Sequence, residues 1–468
     1  AGFNSIGIQS AGGAGKVVAE WLRNGYPSHD YWEVDIKRNM PFQSNKHYLK
    51  ERVTESLGLL YAMHWPFRQF ETSRGVRRSV LHEHLLQRGA CFGEDHGWER
   101  ANWFTLEDEQ PYYEYSFKRQ NWFHISAREH MSIRENVGLI DMSSFAKFRV
   151  QGIDSEKVLN RVCANDCSVE PGRIIYTQWL NERGGIEADL TVTRLDENDF
   201  LILTSAQSQV RDFHWLCDHI DSTERATVTD ITSGLAVLSI MGPQSRALLQ
   251  RLTPEDLSND AFPFGHSKEI DFSMARVRAA RITYVGELGW ELYVPTEFAA
   301  HVFEAICHEG LSFKLKQVGL YAVNSLRVEK AFKHWGHDIT DEDHILEAGL
   351  GFTVNLNKGD FIGKEAFLEK KELGLDRRLL QFKLLDPDEM VFHNEPILRN
   401  GEVVSYLTSG NYGHYLGGAI GLGYVPCEGE KMGDIIESKY EIDIAGKTVE
   451  AIASLKPMYD PKADRIKG

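Results

Sequence analysis

Several chemistries are excluded by what this chain has little of. It carries six cysteines in 468 residues, at positions 91, 163, 167, 217, 307 and 427. None stands in a C-x-x-C pair, and Cys163 and Cys167 are four apart, a helical spacing. No zinc or disulfide framework is expected, and a reducing compartment is the default. No apolar run approaches the roughly 20 residues of a membrane span. Basic charge is outnumbered: 52 Lys and Arg stand against 68 Asp and Glu, for a net charge of −16. That argues against broad binding to nucleic acid or an anionic membrane, and leaves room for a local basic pocket. The histidine pairs His82/His84 and His334/His337 have no ligand-type cluster around them, so they read as structural or surface groups and no metal is expected.

Two phosphate-binding motifs are nearly present and both fail. In "SAGGAGKVVAEWL", Gly15-Lys16 suggests a P-loop, but Ser10 stands at the first glycine position and Val17 follows the lysine. Gly13-Ala14-Gly15 opens a dinucleotide fingerprint, but Val18 stands where the third glycine belongs. What remains is a glycine turn feeding a helix from Lys16 to Asn24 that Gly25 stops. Such a turn either lets backbone approach a ligand or is a plain junction. The chain begins Ala1-Gly2-Phe3-Asn4, already inside this motif. The expectation is that the segment is the downstream part of a longer protein, with the rest of a nucleotide-binding fold upstream.

With 42% hydrophobic and 11% aromatic residues, the chain can build several full cores. Residues 31–36 read as a strand. Residues 46–124, rich in His, Arg and Trp, read as irregular structure with short helices. From Ser126 to about Lys370, strands and helices interleave. "SEKVLNRVCAND" reads as a helix capped by Ser155 or Asp154. "GGIEADLTVTRL" and "DFLILTSA" read as strands, and "SQVRDFHWLCDHI" as a helix. "RVRAARITYV" and "GWELYVP" read as strands joined at Gly286 to Gly289. "TEFAAHVFEAICHEG" is an amphipathic helix with Thr296 as N-cap, and "QVGLYAVNSLRVEKAF" is a helix apolar almost all round. From about Asp376, short strands and glycine turns suggest a small β domain.

Four positions in this pattern invite chemistry. Along 186–193, Ile186, Ala188, Leu190 and Val192 share one face of a strand, and Glu187, Asp189, Thr191 and Thr193 the other. That polar face is either solvated or lines a cavity in which Asp189 accepts a proton. Arg327 lies on an apolar helix stripe with Leu320, Val323 and Ala331. It needs an anionic partner, from the protein or from a ligand. Tyr284 and Glu291 flank a turn. Glutamate there could accept two N–H bonds from an amidine-like heterocycle, or be a surface residue beside a core tyrosine.

These segments resemble two known families in sequence order. "GFNSIGIQSAGGAGKVVAEWLRNG" resembles the last flavin-contacting segment of the sarcosine and dimethylglycine dehydrogenase group. "RGVRRSVLHEHLLQRGACFGEDHGWERANWF" resembles that group's link between flavin and folate halves. From about Ser126 onward, "REHMSIRENVGLIDMSSFAKFRVQG", "YTQWLNERGGIEADLTV", "YVGELGWELYVP", "GLYAVNSLRVEK" and "TSGNYGHYLGGAIGLGYV" resemble the glycine-cleavage T-protein, an aminomethyltransferase.

The resemblance implies an α+β, T-protein-like multidomain fold with a small C-terminal β-barrel, preceded by a remnant of an FAD-dependent oxidoreductase domain. It implies boundaries at 1–45, 46–124, 125–372 and 373–468. It makes Asp189 the catalytic aspartate and places Tyr176, Thr204, Tyr284, Glu291 and Arg327 around tetrahydrofolate. Gly12, Gly13 and Gly15 fall in the flavin remnant. Two departures stand out: Ala188-Asp189 replaces a pair of aspartates, and Thr204 replaces an asparagine. The implied activity is capture by tetrahydrofolate of the iminium carbon from an oxidised N-methylglycine, giving 5,10-methylene-tetrahydrofolate. The implied partner is the flavin half carrying FAD, in a bacterial cytoplasm or a mitochondrial matrix. The regulatory subunit of pyruvate dehydrogenase phosphatase resembles the same architecture, so a non-catalytic role is the alternative. A folate-dependent demethylase fits less well, because it needs no flavin half.

Overall fold

The alternation along residues 186–193 builds the first of two sheets. The computed structural model describes residues 6–106 and 110–468. An antiparallel five-stranded sheet runs in the order Ile174–Leu180, Ile186–Asp196, Asp199–Thr204, Ala146–Gln151, Thr227–Asp230. Ala188, Leu190 and Val192 pack on one side with Phe148, Phe200 and Ile202. The helix Ser155–Val162 covers that side with Val158, Leu159 and Val162, and Leu216 of the helix Gln209–Asp218 joins them. Asp154 holds the N-cap position, as the sequence suggests, but its carboxylate accepts from the Arg225 N–H instead of capping.

The second sheet has six strands in the order Ser267–Phe272, Ala275–Ala280, Gly289–Pro295, Leu235–Met241, Gly138–Asp141, Lys316–Gln317. All neighbours are antiparallel except the last pair. The helix Thr296–Gly310 lays Ala299, Val302, Phe303 and Ile306 against Trp290 and Leu292 of this sheet. That is the i, i+3, i+4, i+7 stripe expected of an amphipathic helix. Pro295, not Thr296, occupies its N-cap.

A third cluster lies between the sheets. It joins Ile174, Leu201 and Leu203 of the first sheet to Val237, Met241, Ala280 and Tyr293 of the second. By register, Thr191 faces Leu203 and Thr193 faces Leu201, so the polar face of the Asp189 strand points into this layer. That face is not solvated: Glu187 and Thr193 are buried, and Asp189 and Thr191 half-buried. The helix Leu320–Glu329 contributes Ala322, Val323 and Leu326 to the same layer.

Six antiparallel strands close into the C-terminal barrel, in the order Arg377–Leu384, Gly418–Pro426, Glu402–Gly413, Pro396–Arg399, Tyr440–Ile444, Lys447–Ser454. It docks on the Leu320–Glu329 helix through Val328 against Leu379, Ile420, Leu422 and Tyr424. Ser325 also donates to the Tyr412 carbonyl at 2.6 Å.

Four local expectations are corrected. The glycine turn is absent among the described residues: one helix runs from Gly7 to Asn24 straight through Gly12, Gly13 and Gly15. Glycine takes right-handed helical angles as readily as positive φ, so a glycine run does not force a turn. The stop at Gly25 holds, with φ of 83° and its N–H bonded to Trp21 O. Residues 31–36 form short 3₁₀ turns instead of a strand, Trp32–Val34 and Ile36–Arg38. Asp30 and Asp35 side chains capture the N–H groups of Trp32 and Lys37 at 2.9 and 2.8 Å, which competes with extended structure. Within 46–124, Ala90–Asp95 and Trp98–Phe104 form a regular hairpin, turned at His96-Gly97 with both residues at positive φ. The expected strand from Arg276 to Val285 is cut short: the strand Ala275–Ala280 ends before Thr283, whose Oγ1 accepts the N–H groups of Val285 and Gly286 and bends the chain. Tyr284 therefore sits on a loop.

Candidate functional site

Asp189 stands directly opposite Gln178 in the register of the two strands. Gln178 Nε2 donates to Asp189 Oδ1 at 2.6 Å. Gln178 is itself fully buried, and its Oε1 accepts from the Thr353 hydroxyl, which orients the amide. Burial pushes the Asp189 carboxyl up to about 6, against the opposing pull of Gln178, the Tyr176 hydroxyl and the Lys333 charge. A carboxylate in that range exchanges protons near neutral pH, which suits a general base. Tyr176 lies on the same strand face as Gln178, and burial together with Asp189 raises its phenol well above the usual value.

Tyr284 approaches from the second sheet's loop. Its hydroxyl donates to the Lys333 carbonyl at 2.9 Å, and its ring stacks on Phe332 with centroids 6.2 Å apart. Burial lifts its phenol to about 12. The same electrostatic neighbourhood holds Asp189, Asp338 and Arg327. Asp189, Tyr176, Tyr284 and the Arg327–Asp338 pair are thus brought together.

Glu291 lies on the inner face of the second sheet, next to Tyr293, whose hydroxyl donates to Oε2 at 2.8 Å. Burial raises this carboxyl to about 7. Oε1 has no hydrogen-bond partner among the described residues, so one carboxylate edge faces the interior uncommitted. Glu291 shares the layer between the sheets with Asp189, although the two make no direct contact.

Arg327 finds its anion inside the protein. Nη1 donates to Asp338 at 2.5 Å and to the Phe332 carbonyl at 3.2 Å. Nε donates to Asn324 at 2.8 Å and Nη2 to Ser409 Oγ at 2.8 Å. Asp338 also accepts from Thr408 Oγ1 at 2.7 Å and from the His334 N–H at 3.0 Å. Of the two partners left open by the sequence, the protein's own carboxylate is the one present. One N–H of Nη2 remains without a partner among the described residues. Thr204, implied as a folate contact by the resemblance, has a buried hydroxyl that donates to Asp212 at 2.5 Å and meets Ser208 at 3.1 Å. A shorter side chain than asparagine reaches this internal partner instead of projecting onward.

Gly12, Gly13 and Gly15 are far from this chemistry in character. Their helix has no buried residue, and a Cβ added at any of the three would meet nothing within 4 Å. The histidine pairs are engaged locally: His82 stacks on Phe92, His84 bonds Glu304 at 2.8 Å, and the tilted rings of His334 and His337 lie 4.8 Å apart. Among the described residues no group of His, Cys, Asp and Glu could hold a metal ion, and no helix is long and apolar enough to cross a membrane.

Two site residues escaped the sequence reading. Gln178 follows Tyr176 by two, so period-two alternation already put it on the same face. Lys333 had no local signal. It lies in the loop after the Leu320–Glu329 helix, and only the fold carries it to Asp189.

Two sheets enclosing a carboxylate-bearing interior, backed by a closed barrel, define a folded unit of the aminomethyltransferase class. The family description "GCVT N-terminal domain" matches residues 81–358, and "Glycine cleavage T-protein C-terminal barrel domain" matches residues 377–460. The chain belongs to the glycine-cleavage T-protein family. Ahead of this unit, residues 24–79 match the FAD dependent oxidoreductase central domain. The chain is 43% identical to 4-methylaminobutanoate oxidase (formaldehyde-forming) of Paenarthrobacter nicotinovorans, covering 100% of this chain and 56% of that protein. It is 36% identical to the mitochondrial pyruvate dehydrogenase phosphatase regulatory subunit of Mus musculus, covering 98% and 54%. It is 35% identical to the mitochondrial sarcosine dehydrogenase of Homo sapiens, covering 100% and 55%. Among solved structures, the glycine cleavage system aminomethyltransferase T from Bartonella henselae superimposes with a TM-score of 0.70 at 26% identity, covering 83% of this chain and 99% of that one. The chain spans about half the length of these three curated relatives.

Proposed function

We propose that this chain binds tetrahydrofolate between its two sheets and transfers to it the one-carbon unit of an oxidised N-methylglycine, dimethylglycine or sarcosine. The observation that carries the reading is Asp189: a half-buried carboxyl with a raised pKa, oriented by Gln178, inside an aminomethyltransferase-type domain. Glu291 offers its free carboxylate edge to the N–H groups of a pterin, and Tyr176 and Tyr284 give aromatic walls. Arg327 bears on the ligand through its remaining N–H and through the loop it fixes.

The reaction balances without a further reagent. A folate nitrogen attacks the iminium carbon and loses its proton to Asp189. The second folate nitrogen closes the ring and loses its own proton as the amine departs, taking up that proton and the one held by Asp189. Methylene-tetrahydrofolate and a protonated secondary or primary amine result. The oxidation that generates the iminium belongs to a flavin-dependent part of a longer protein, and residues 24–79 fit that arrangement.

The test is an anaerobic calorimetric titration of the chain with tetrahydrofolate. Binding should weaken in Glu291→Gln and Tyr284→Phe and persist in Asp189→Asn, which loses methylene transfer. Failure of the folded wild-type chain to bind overturns the reading. It would favour a non-catalytic regulatory role, the reading supported by the 36% identity to the phosphatase regulatory subunit.

A further inference from the structure

Thr353 carries one hydroxyl proton and has two acceptors within reach of it. Its Oγ1 stands 2.7 Å from the Leu350 carbonyl and also meets Oε1 of Gln178. One proton serves only one of them at a time. The Leu350 carbonyl does not depend on it, because it already takes the Thr353 backbone N–H at 2.9 Å. Thr353 closes the 3₁₀ turn Gly351–Thr353, and it and Gln178 are 1% and 0% exposed. Bulk water therefore completes neither arrangement, and the side chains must satisfy one another.

At its other end the Gln178 amide meets Asp189 Oδ1 at 2.6 Å. The oxygen and nitrogen of a primary amide are nearly alike in size, and the last torsion of glutamine is broad and two-fold. The same heavy-atom positions thus hold two complete proton patterns. In the first, Asp189 is ionised, Nε2 donates to it, and Thr353 donates to Oε1. In the second, Asp189 is protonated and donates to Oε1, Nε2 donates to the Thr353 oxygen, and Thr353 donates to Leu350. Neither pattern breaks the chain of bonds from Asp189 to the Thr353 turn. The titratable groups whose charge acts on Asp189 are Tyr176, Tyr284 and Lys333. The Tyr176 hydroxyl bears on both Asp189 and the amide, and it can donate or accept, so it does not fix the sense of the amide. Burial brings the Asp189 carboxyl to about 6, so both of its forms occur near neutral pH.

We propose that the Gln178 amide turns over each time Asp189 gains or loses its proton, with Thr353 as the positioning residue that satisfies both orientations. This deepens the folate reading and depends on it only for the source of the proton. In the transfer above, Asp189 takes a folate proton and later gives it to the departing amine. A fixed donor favours only the ionised carboxylate. A reversible amide supports the base before the proton arrives and the acid after it, so neither half-step works against the site. Only the Asp189 proton is exchanged; the amide and the hydroxyl rotate and keep their own hydrogens.

The test removes the hydroxyl. Thr353→Val breaks two links of the second pattern, Nε2 to Oγ1 and Oγ1 to Leu350, but only one of the first. It should therefore favour the ionised form and lower the Asp189 titration midpoint by about one pH unit, the tenfold change that one hydrogen bond is worth. The midpoint is read on the free chain by infrared difference spectroscopy, as the protonated-carboxyl band that Asp189→Asn removes. Thr353→Ala should shift it in the same direction, and Thr353→Ser, which keeps the hydroxyl, should titrate as wild type. The acidic limb of single-turnover methylene transfer should move to lower pH with the band. A midpoint unchanged or raised in folded Thr353→Val or Thr353→Ala overturns the proposal and leaves Gln178 a fixed donor. A tetrahydrofolate titration of the same proteins separates the two readings. Failure of the wild type to bind overturns the folate reading and leaves the infrared result standing, whereas binding with an unmoved midpoint overturns the amide reversal alone.

Discussion

Glu329 and Glu291 are both buried glutamates, and they sit in opposite electrostatic settings. Glu329 lies among His130 at 3.2 Å, Arg134 at 3.0 Å and the N–H groups of Tyr415 and Leu416 at 2.9 and 3.0 Å. Burial raises its pKa, but these partners outweigh burial and hold the carboxyl down at about 2. Arg134 also reaches Glu287, and Arg465 near the C-terminus reaches both Glu287 and the Arg134 carbonyl. That network ties the helix Phe123–Glu135, the Leu320–Glu329 helix and the chain end together. Glu291 and Asp189, by contrast, have few partners and raised pKa values. Cationic and N–H partners thus outweigh burial at Glu329, whereas burial wins at Glu291 and Asp189. Underpaired buried acids reduce stability, and a ligand that pairs them restores it.

The largest expected effect breaks the satisfied region. Arg134→Ala leaves Glu329 and Glu287 buried without their guanidinium and should cost about 3–5 kcal/mol in urea unfolding. Asp189→Asn should do the reverse: unchanged or greater stability, with methylene transfer reduced about a hundredfold or more in a single-turnover assay. A loss of folding in Asp189→Asn comparable to Arg134→Ala would erase the distinction between the two regions.

The pH dependence sharpens it further. Glu291 is raised in the folded state, so its contribution favours folding fully below its unfolded pKa and is lost as pH climbs through about 7. Glu329 is depressed, so its contribution is present above its unfolded pKa and is lost as pH falls toward about 2. Between pH 5 and 8, Glu291→Gln should therefore flatten the fall in unfolding free energy by about 2 kcal/mol. Equal slopes in wild type and variant would show that Glu291 is not desolvated. The smallest effect is at the opposite end of the chain. Gly13→Ala should raise the helicity of Gly7–Asn24 by circular dichroism, worth about 1 kcal/mol locally, and leave tetrahydrofolate binding unchanged. A change in binding would link that helix to the site.

Much of the site was legible because period-two alternation is a backbone rule. It placed Asp189 and, had it been followed one strand back, Gln178 on one face. It did not say whether that face met water, since a polar strand face looks the same over solvent as over a second sheet. Arg327 was legible as a buried cation in need of an anion, and its partner Asp338 lies eleven residues on, beyond any helical spacing rule. The glycine run misled because glycine permits a turn without requiring one. Residues 31–36 misled because Asp30 and Asp35 take local N–H groups that a strand would use elsewhere.

The sequence by itself determined the elements whose cause is local: the alternating strands, the stripe of Ala299, Val302, Phe303 and Ile306, and the stop at Gly25. Motifs in order also sufficed for the family. Tertiary structure decided what each polar group meets. Charge interactions act through space, at distances that chain separation does not set. Whether Asp189 is solvated and whether Arg327 is already paired both follow from how two sheets, one loop and a barrel come together.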